Sequence, residues 1–245
     1  MDGRGKLIDI LATVRTGVRP RIVALIDEIL SLAWVYRAEG FTFDADSTLD
    51  AQVNKVLADF SDGEIADAEK KLRKLLESLE WSDFGDDALE YAEREQNDQN
   101  AVYRFDMHAS HLKEIIAVWL GISFVSGLSR SETARQIWGY WGSPELSPKW
   151  VGPRSPFFLW GKGYTKNILN GIVVLEQDII NSAYQFAVLQ DFGRQGAIGY
   201  KIKRGSGYNC PYCDEHCGIV YPLSRQILPL HSRCMCIAYP VFSNE

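Results

Sequence analysis

Near its end the chain reads Cys210-Pro211-Tyr212-Cys213-Asp214-Glu215-His216-Cys217-Gly218, and then Pro229-Leu230-His231-Ser232-Arg233-Cys234-Met235-Cys236. All five cysteines lie in this stretch, with two of the four histidines. As ligand spacing it is C-x2-C-x17-H-x2-C-x-C. A tetrahedral Zn²⁺ needs two close donor pairs separated by a loop of this kind. Each pair chelates across one tight turn, and the loop lets the second pair fold back over the first. The candidate ligands are Cys210, Cys213, His231 and one of Cys234 or Cys236. The last two stand two apart, and one of them is expected to face the metal. The His231-x2-Cys234 spacing favours Cys234. Disulfides and unliganded thiols are the alternatives, and His216 and Cys217 are surplus donors.

Around the ligands the pattern turns from helical to extended. Tyr200-Lys201-Ile202-Lys203-Arg204 alternates as a strand does, and Gly205-Ser206-Gly207-Tyr208 reads as a turn into the first cysteine pair. Gly218–Tyr221 and Cys236–Phe242 are the other expected strands. A small sheet of these three, pinned by the metal, closes the lobe. So few apolar residues make no core alone, and a metal would supply much of the stability.

Upstream the pattern is helical. Leu7, Ile8, Ile10, Leu11 and Val14 make a short helical stripe, which Gly17 and Pro20 are expected to interrupt. A second helix then runs from Arg21 to about Ala38. Residues 41–47 read as a loop, with Asp46 or Ser47 capping a helix over Leu49–Phe60. Ser61-Asp62-Gly63 reads as a break before a helix over Glu64–Leu79. Asp86–Gln96 is acidic and helical, and Asn97–Asn100 reads as a linker. A helix over Val102–Val125 carries His108 and His111 on one face, read as an ordinary polar face. Ser129 and Glu132 have the spacing of a capping box. Trp138–Trp160, rich in Trp, Gly and Pro, is expected to be an irregular loop that covers the core or makes contacts. The longest later helix covers Thr165–Leu189. The expected fold class is therefore mainly α, with helical N-terminal and central regions and a small C-terminal β-rich zinc-knuckle lobe, an α+β chain. The expected divisions are 1–100, 101–196 and 197–245.

Composition narrows the function. The net charge of −6 argues against a dedicated nucleic-acid binder. From residue 141 on there are 10 Lys/Arg against 7 Asp/Glu, leaving +3 there and −9 before it. A local basic patch remains at Lys201, Lys203 and Arg204. The first residues lack the apolar core of a signal peptide. No stretch reads as a membrane span: Ile22–Tyr36 carries Asp27 and Glu28, and Ile115–Val125 is too short. A reducing cytoplasm is expected, which favours zinc over disulfides.

The residues between the ligands carry a resemblance. Cys210-Pro211, Cys213 and Gly218 are followed by Val220-Tyr221-Pro222-Leu223 and by Pro229-Leu230-His231 with Cys234 and Cys236. This resembles the C-terminal motif of the phage head-morphogenesis family, the MuF or gpF-like minor head proteins. The likeness is tight over 208–240 and looser over roughly 112–200. Ser232 and Met235 depart from the family pattern without removing a ligand. The family's Arg-Thr-Glu helix stretch lacks its Arg here, while Asn181 and Ala183 match. The resemblance implies a non-enzymatic minor head protein acting in head morphogenesis. Its partners would be the portal and the capsid or scaffolding proteins, with weak contact to packaged DNA and no membrane. It would reside in the host cytoplasm during assembly and then in the virion head. Other readings are an effector, toxin or other enzyme module carrying a MuF-like domain, and a zinc-stabilised cytoplasmic adaptor. Catalytic signatures are missing. The sequence has no His-x-Glu paired with Pro-Cys-x-x-Cys, no His-Glu-x-x-His, no phosphate-cradling Gly loop and no Ser elbow.

Overall fold

Leu7, Leu11, Val14, Val18, Ile22, Leu25 and Ile29 recur every three or four residues, and all are buried. The stripe stays in phase across Gly17 and Pro20, so the expected interruption does not occur: helix α1 runs unbroken over Gly3–Ala38 with Pro20 inside it. A proline within a helix removes one i→i−4 bond and costs roughly 3 kcal/mol. Burying large aliphatic side chains on both sides of it, each worth about 1.5–3 kcal/mol, outweighs that cost. The Pro20 ring itself stands on the exposed side.

The same correction applies further on. Helix α2 spans Ser47–Ser78 without a break at Ser61-Asp62-Gly63. Its stripe of Leu49, Val53 and Leu57 continues through Ser61 and Glu64 to Ala68, Leu72 and Leu75, all buried. Glu64 takes Arg21 in a two-pronged ion pair, with Nη2 2.8 Å from Oε2 and Nε on Oε1. A buried carboxylate is tolerated because the guanidinium pairs with both oxygens.

The computed structural model describes residues 3–38, 47–93, 101–134, 137, 164–205, 207, 209–231 and 234–243. The cap Asp46, the linker 97–100 and the aromatic loop 138–160 lie outside the described residues. After α2 come a 3₁₀ turn at Ser82–Phe84, α3 at Gly85–Glu93, α4 at Ala101–Ser126 and α5 at Tyr164–Arg194. Strand β1 at Gly199–Lys203, the short helix α6 at Pro211–His216, β2 at Val220–Tyr221 and β3 at Ile237–Val241 complete the order. The chain is mainly helical with a small C-terminal sheet, as its patterning predicts.

The chain packs as two compact units. One comprises residues Arg15–Glu64 and Val102–Val173. Here α4 buries Phe105, Ala109, Leu112, Ile116 and Leu120. Trp34 and Phe124 meet edge to face at 5.3 Å, and Arg37 lies over the Phe124 ring and donates to the Leu128 carbonyl at 2.8 Å. The capping box forms: Ser129 N donates to Glu132 Oε2 at 2.8 Å, and Glu132 N donates to Ser129 Oγ at 3.3 Å. Contrary to the sequence reading, Tyr103–Ser126 is long and apolar enough to cross a membrane by length and composition. The apolar window extends on both sides of Ile115–Val125, and the helix buries its apolar stripe within the unit.

The other unit comprises Met1–Val14, Ile65–Ala101 and Val174–Glu245. Its α5 buries Leu175, Ile179, Ala183, Ala187 and Leu189. The sheet has strand order β2-β1-β3 and is antiparallel throughout, with Lys201 opposite Val220 on one side and Tyr239 on the other. Tyr200 is fully buried and anchors the loop after β2. Its hydroxyl donates to the Arg225 carbonyl at 2.7 Å and accepts from Ile227 N at 3.3 Å. Burial raises the Tyr200 pKa above its ordinary value. Gly199 is required by close approach, because a Cβ there would lie 2.6 Å from the Tyr221 carbonyl oxygen.

Candidate metal centre

Each donor pair is held by its own tight turn. Cys210, with extended backbone, caps α6; Pro211 occupies the first helical turn, where a missing N–H costs nothing. Asp214 N donates to the Cys210 carbonyl at 3.1 Å, which closes the turn and brings Cys213 round beside Cys210. In the second pair Cys234 N donates to the His231 carbonyl at 2.9 Å. The x2 spacing is thus realised twice as a main-chain turn.

The two turns meet. His231 Nε2 lies 3.0 Å from Cys213 Sγ and 3.4 Å from Cys210 Sγ. Cys210, Cys213 and His231 form one group whose donor atoms all lie within 4.8 Å of one another, and Cys213, Cys234 and Cys236 form a second. Cys213 is common to both and is buried, as are Cys234 and Cys236. In a tetrahedral zinc site with Zn–S of about 2.3 Å, donors stand roughly 3.8 Å apart, so both groups are close to the required size. The donor set, thiols and one imidazole, is what a borderline-soft divalent ion prefers.

Both Cys234 and Cys236 approach Cys213, so the expectation that only one of them faces the metal is not met. Side chains two apart along extended backbone point to the same face, so the spacing itself brings both toward one side. The surplus donors fall outside both groups. His216 Nδ1 lies 2.9 Å from the Tyr212 carbonyl oxygen, and its ring packs on Tyr212. Cys217 forms a backbone bridge with Ile202. None of the five cysteines is in a disulfide.

Electrostatics differ across the cluster. Burial, followed by the neighbouring thiols, pushes the Cys213 thiol far up, and burial raises Cys236 as well. The Cys213 backbone N–H lowers Cys210, with the Arg204 charge assisting. Packed thiols of this kind resist ionisation unless a cation is shared among them.

Other side chains hold the cluster in place. Asn181 Nδ2 donates to the Cys234 carbonyl at 2.8 Å, and Gln185 Nε2 to the Cys236 carbonyl at 3.4 Å. Both amides project from α5, one turn apart, and both are buried. Arg204 Nη1 donates to the Cys210 carbonyl at 3.1 Å and to Asp214 Oδ1 at 2.6 Å, tying α6 to the end of β1. Gly205 abuts the Met235 carbonyl so closely that a Cβ would overlap it. From sequence, Asn181 stands out only through family likeness, Arg204 only as part of the basic patch with Lys201 and Lys203, and Gln185 not at all. The available signal is the one-turn recurrence of Gln177, Asn181 and Gln185 along α5.

Comparison with protein-family models, with curated proteins and with solved structures finds no match for this chain.

Proposed function

We propose that the cluster is a structural Zn²⁺ site and that the protein is a minor head protein of the MuF type. In this reading it is a non-enzymatic component of phage or prophage head morphogenesis, associated with the portal. The observation that carries the metal reading is the pair of donor groups sharing Cys213. Cys210, Cys213 and His231, with Cys234 or Cys236, would hold the ion. When bound, the ion cross-links the two turns. A shell filled by protein donors leaves no position for a reacting water, which is the mark of a structural site. Asn181, Gln185 and Arg204 hold the main chain at three of the cysteines and so fix the shape into which the ion fits.

The head-protein reading rests on the Cys210-Pro211-x-Cys213 knuckle followed by Val220-Tyr221-Pro222-Leu223 and Pro229-Leu230-His231. The helical units would supply docking surface toward the portal, and the metal would fix the terminal lobe. The test is co-assembly. The full chain is produced together with a portal protein from the same genome, and the portal ring is purified. Retention of the chain on the ring is expected, and its clean loss under assembly conditions would count against the reading, as would an absence of portal, terminase and capsid genes nearby.

A further inference from the structure

The cluster offers five donors, Cys210, Cys213, His231, Cys234 and Cys236, where a tetrahedral ion takes four. They are arranged as two triangles with one shared corner. Cys210, Cys213 and His231 make the outer triangle, in which Cys210 is half-buried and His231 exposed. Cys213, Cys234 and Cys236 make the inner one, and all three are buried. Within each triangle the donor atoms lie within 4.8 Å of one another, and the two stand as separate groups, not as one set of four or five. An ion lying in the plane of three donors at about 2.3 Å holds them roughly 4 Å apart, so each triangle has the size of a three-coordinate site.

The triangles are supported separately. At the outer one Arg204 Nη1 donates to the Cys210 carbonyl at 3.1 Å. At the inner one the buried amides of Asn181 and Gln185 hold the Cys234 and Cys236 carbonyls, at 2.8 Å and 3.4 Å. Cys213 stands between them on α6. The shared corner is therefore a sulfur, and a thiolate has lone pairs enough to bridge two ions, whereas an imidazole nitrogen serves one. The inner triangle also selects a class of ion. It has three sulfurs and lies away from solvent. Soft Cu(I) favours sulfur and is satisfied by three ligands. Zn²⁺ takes four, so in the inner triangle alone it would need a water or a further side chain.

We propose that the cluster takes soft monovalent ions as a pair, one Cu(I) in each triangle, with the Cys213 thiolate bridging the two. Loading replaces the four thiol protons of Cys210, Cys213, Cys234 and Cys236, which pass to solvent, and no electron moves. The inference rests on the reading of the cluster as a metal site and goes beyond it in the number and class of ion. It uses nothing of the head-protein reading.

The test uses the full chain, reduced and stripped of metal, titrated under nitrogen with Cu(I) held by a coloured competing chelator. Two Cu(I) per chain should leave the chelator, one for each triangle. Copper X-ray absorption should then show three-coordinate, sulfur-dominated shells and a short copper–copper distance. Cys236→Ser, which opens only the inner triangle, should bind one Cu(I) and still bind about one Zn²⁺ through Cys234. A single Cu(I) per wild-type chain, two without a copper–copper distance, or two in Cys236→Ser would overturn the proposal. The wild-type measurements do not rely on the folding of any variant. One Zn²⁺ with only one Cu(I) would leave the structural-zinc reading standing without this inference, and two Cu(I) with no Zn²⁺ would do the reverse.

Discussion

One side chain organises the C-terminal lobe. Cys213 belongs to both donor groups, so its loss removes more than any neighbour's. Cys213→Ser should take bound zinc from about one per chain to near zero and lower the melting temperature of the lobe sharply, because metal-binding free energy here is folding free energy. Cys217→Ser, outside both groups, should leave both quantities unchanged. Metal analysis and calorimetry on the two variants separate these outcomes. Gly205 makes a second test. A Cβ there overlaps the Met235 carbonyl, so Gly205→Ala must move backbone beside the cysteines, and a loss of about 2 kcal/mol or more is expected in denaturant unfolding. The donors themselves are legible in the sequence, since Cys-x2-Cys and His-x2-Cys are local turns. The joint approach of Cys234 and Cys236 is legible as well, because side chains two apart in an extended segment share a face.

Among elements, the lesson is phase. Gly17, Pro20 and the Ser61-Asp62-Gly63 triplet carry the local chemistry of breaks, and each lies inside a continuous helix. Local propensity lost because the buried stripe keeps its register on both sides, and tertiary packing outweighs a few tenths to a few kcal/mol of preference. The sign that a stripe continues is arithmetic: Leu57, Ser61, Glu64 and Ala68 are spaced as helix neighbours even though two are polar. A consequence follows for Gly63, which is exposed in mid-helix with open space where a Cβ would go. Gly63→Ala should stabilise the protein by about 0.5–1 kcal/mol, the usual gain for relieving a helix glycine. Equilibrium unfolding measures this, and a loss of stability would show that the chain turns there. The strands need no such correction. Their alternation is local, and the sheet of three is readable from Tyr200–Arg204 and the two segments beside the ligands.

For the molecule as a whole, two conditions should govern stability: acidity and metal. His108 is mostly buried, and its ring fills the space where a Cβ on Gly171 would lie. Burial first, and the neighbouring His111 second, pull its pKa below the ordinary 6.5. Between the lowered and the ordinary value the unfolded chain binds more protons than the folded one, so stability is full above pH 6.5 and falls as pH drops through the folded pKa. Denaturant midpoints at about pH 7.5 and pH 5.5 should therefore differ, with a smaller difference in His108→Gln. Equal differences in the two proteins would remove His108 from the account. Further acidification adds a second loss, because the Lys113 hydrogen bond holds Asp50 below its ordinary 3.8.

Two separated turns of the chain that close around a single ion should give a definite metal spectrum. Zinc X-ray absorption on the purified full chain, paired with metal analysis, reads that closure. The expected result is one zinc per chain, bound by sulfur at about 2.3 Å and by one imidazole nitrogen at about 2.0 Å, with no solvent oxygen in the shell. A metal content far below one per chain, with all five thiols of the native protein reacting at once with a thiol reagent, would contradict it.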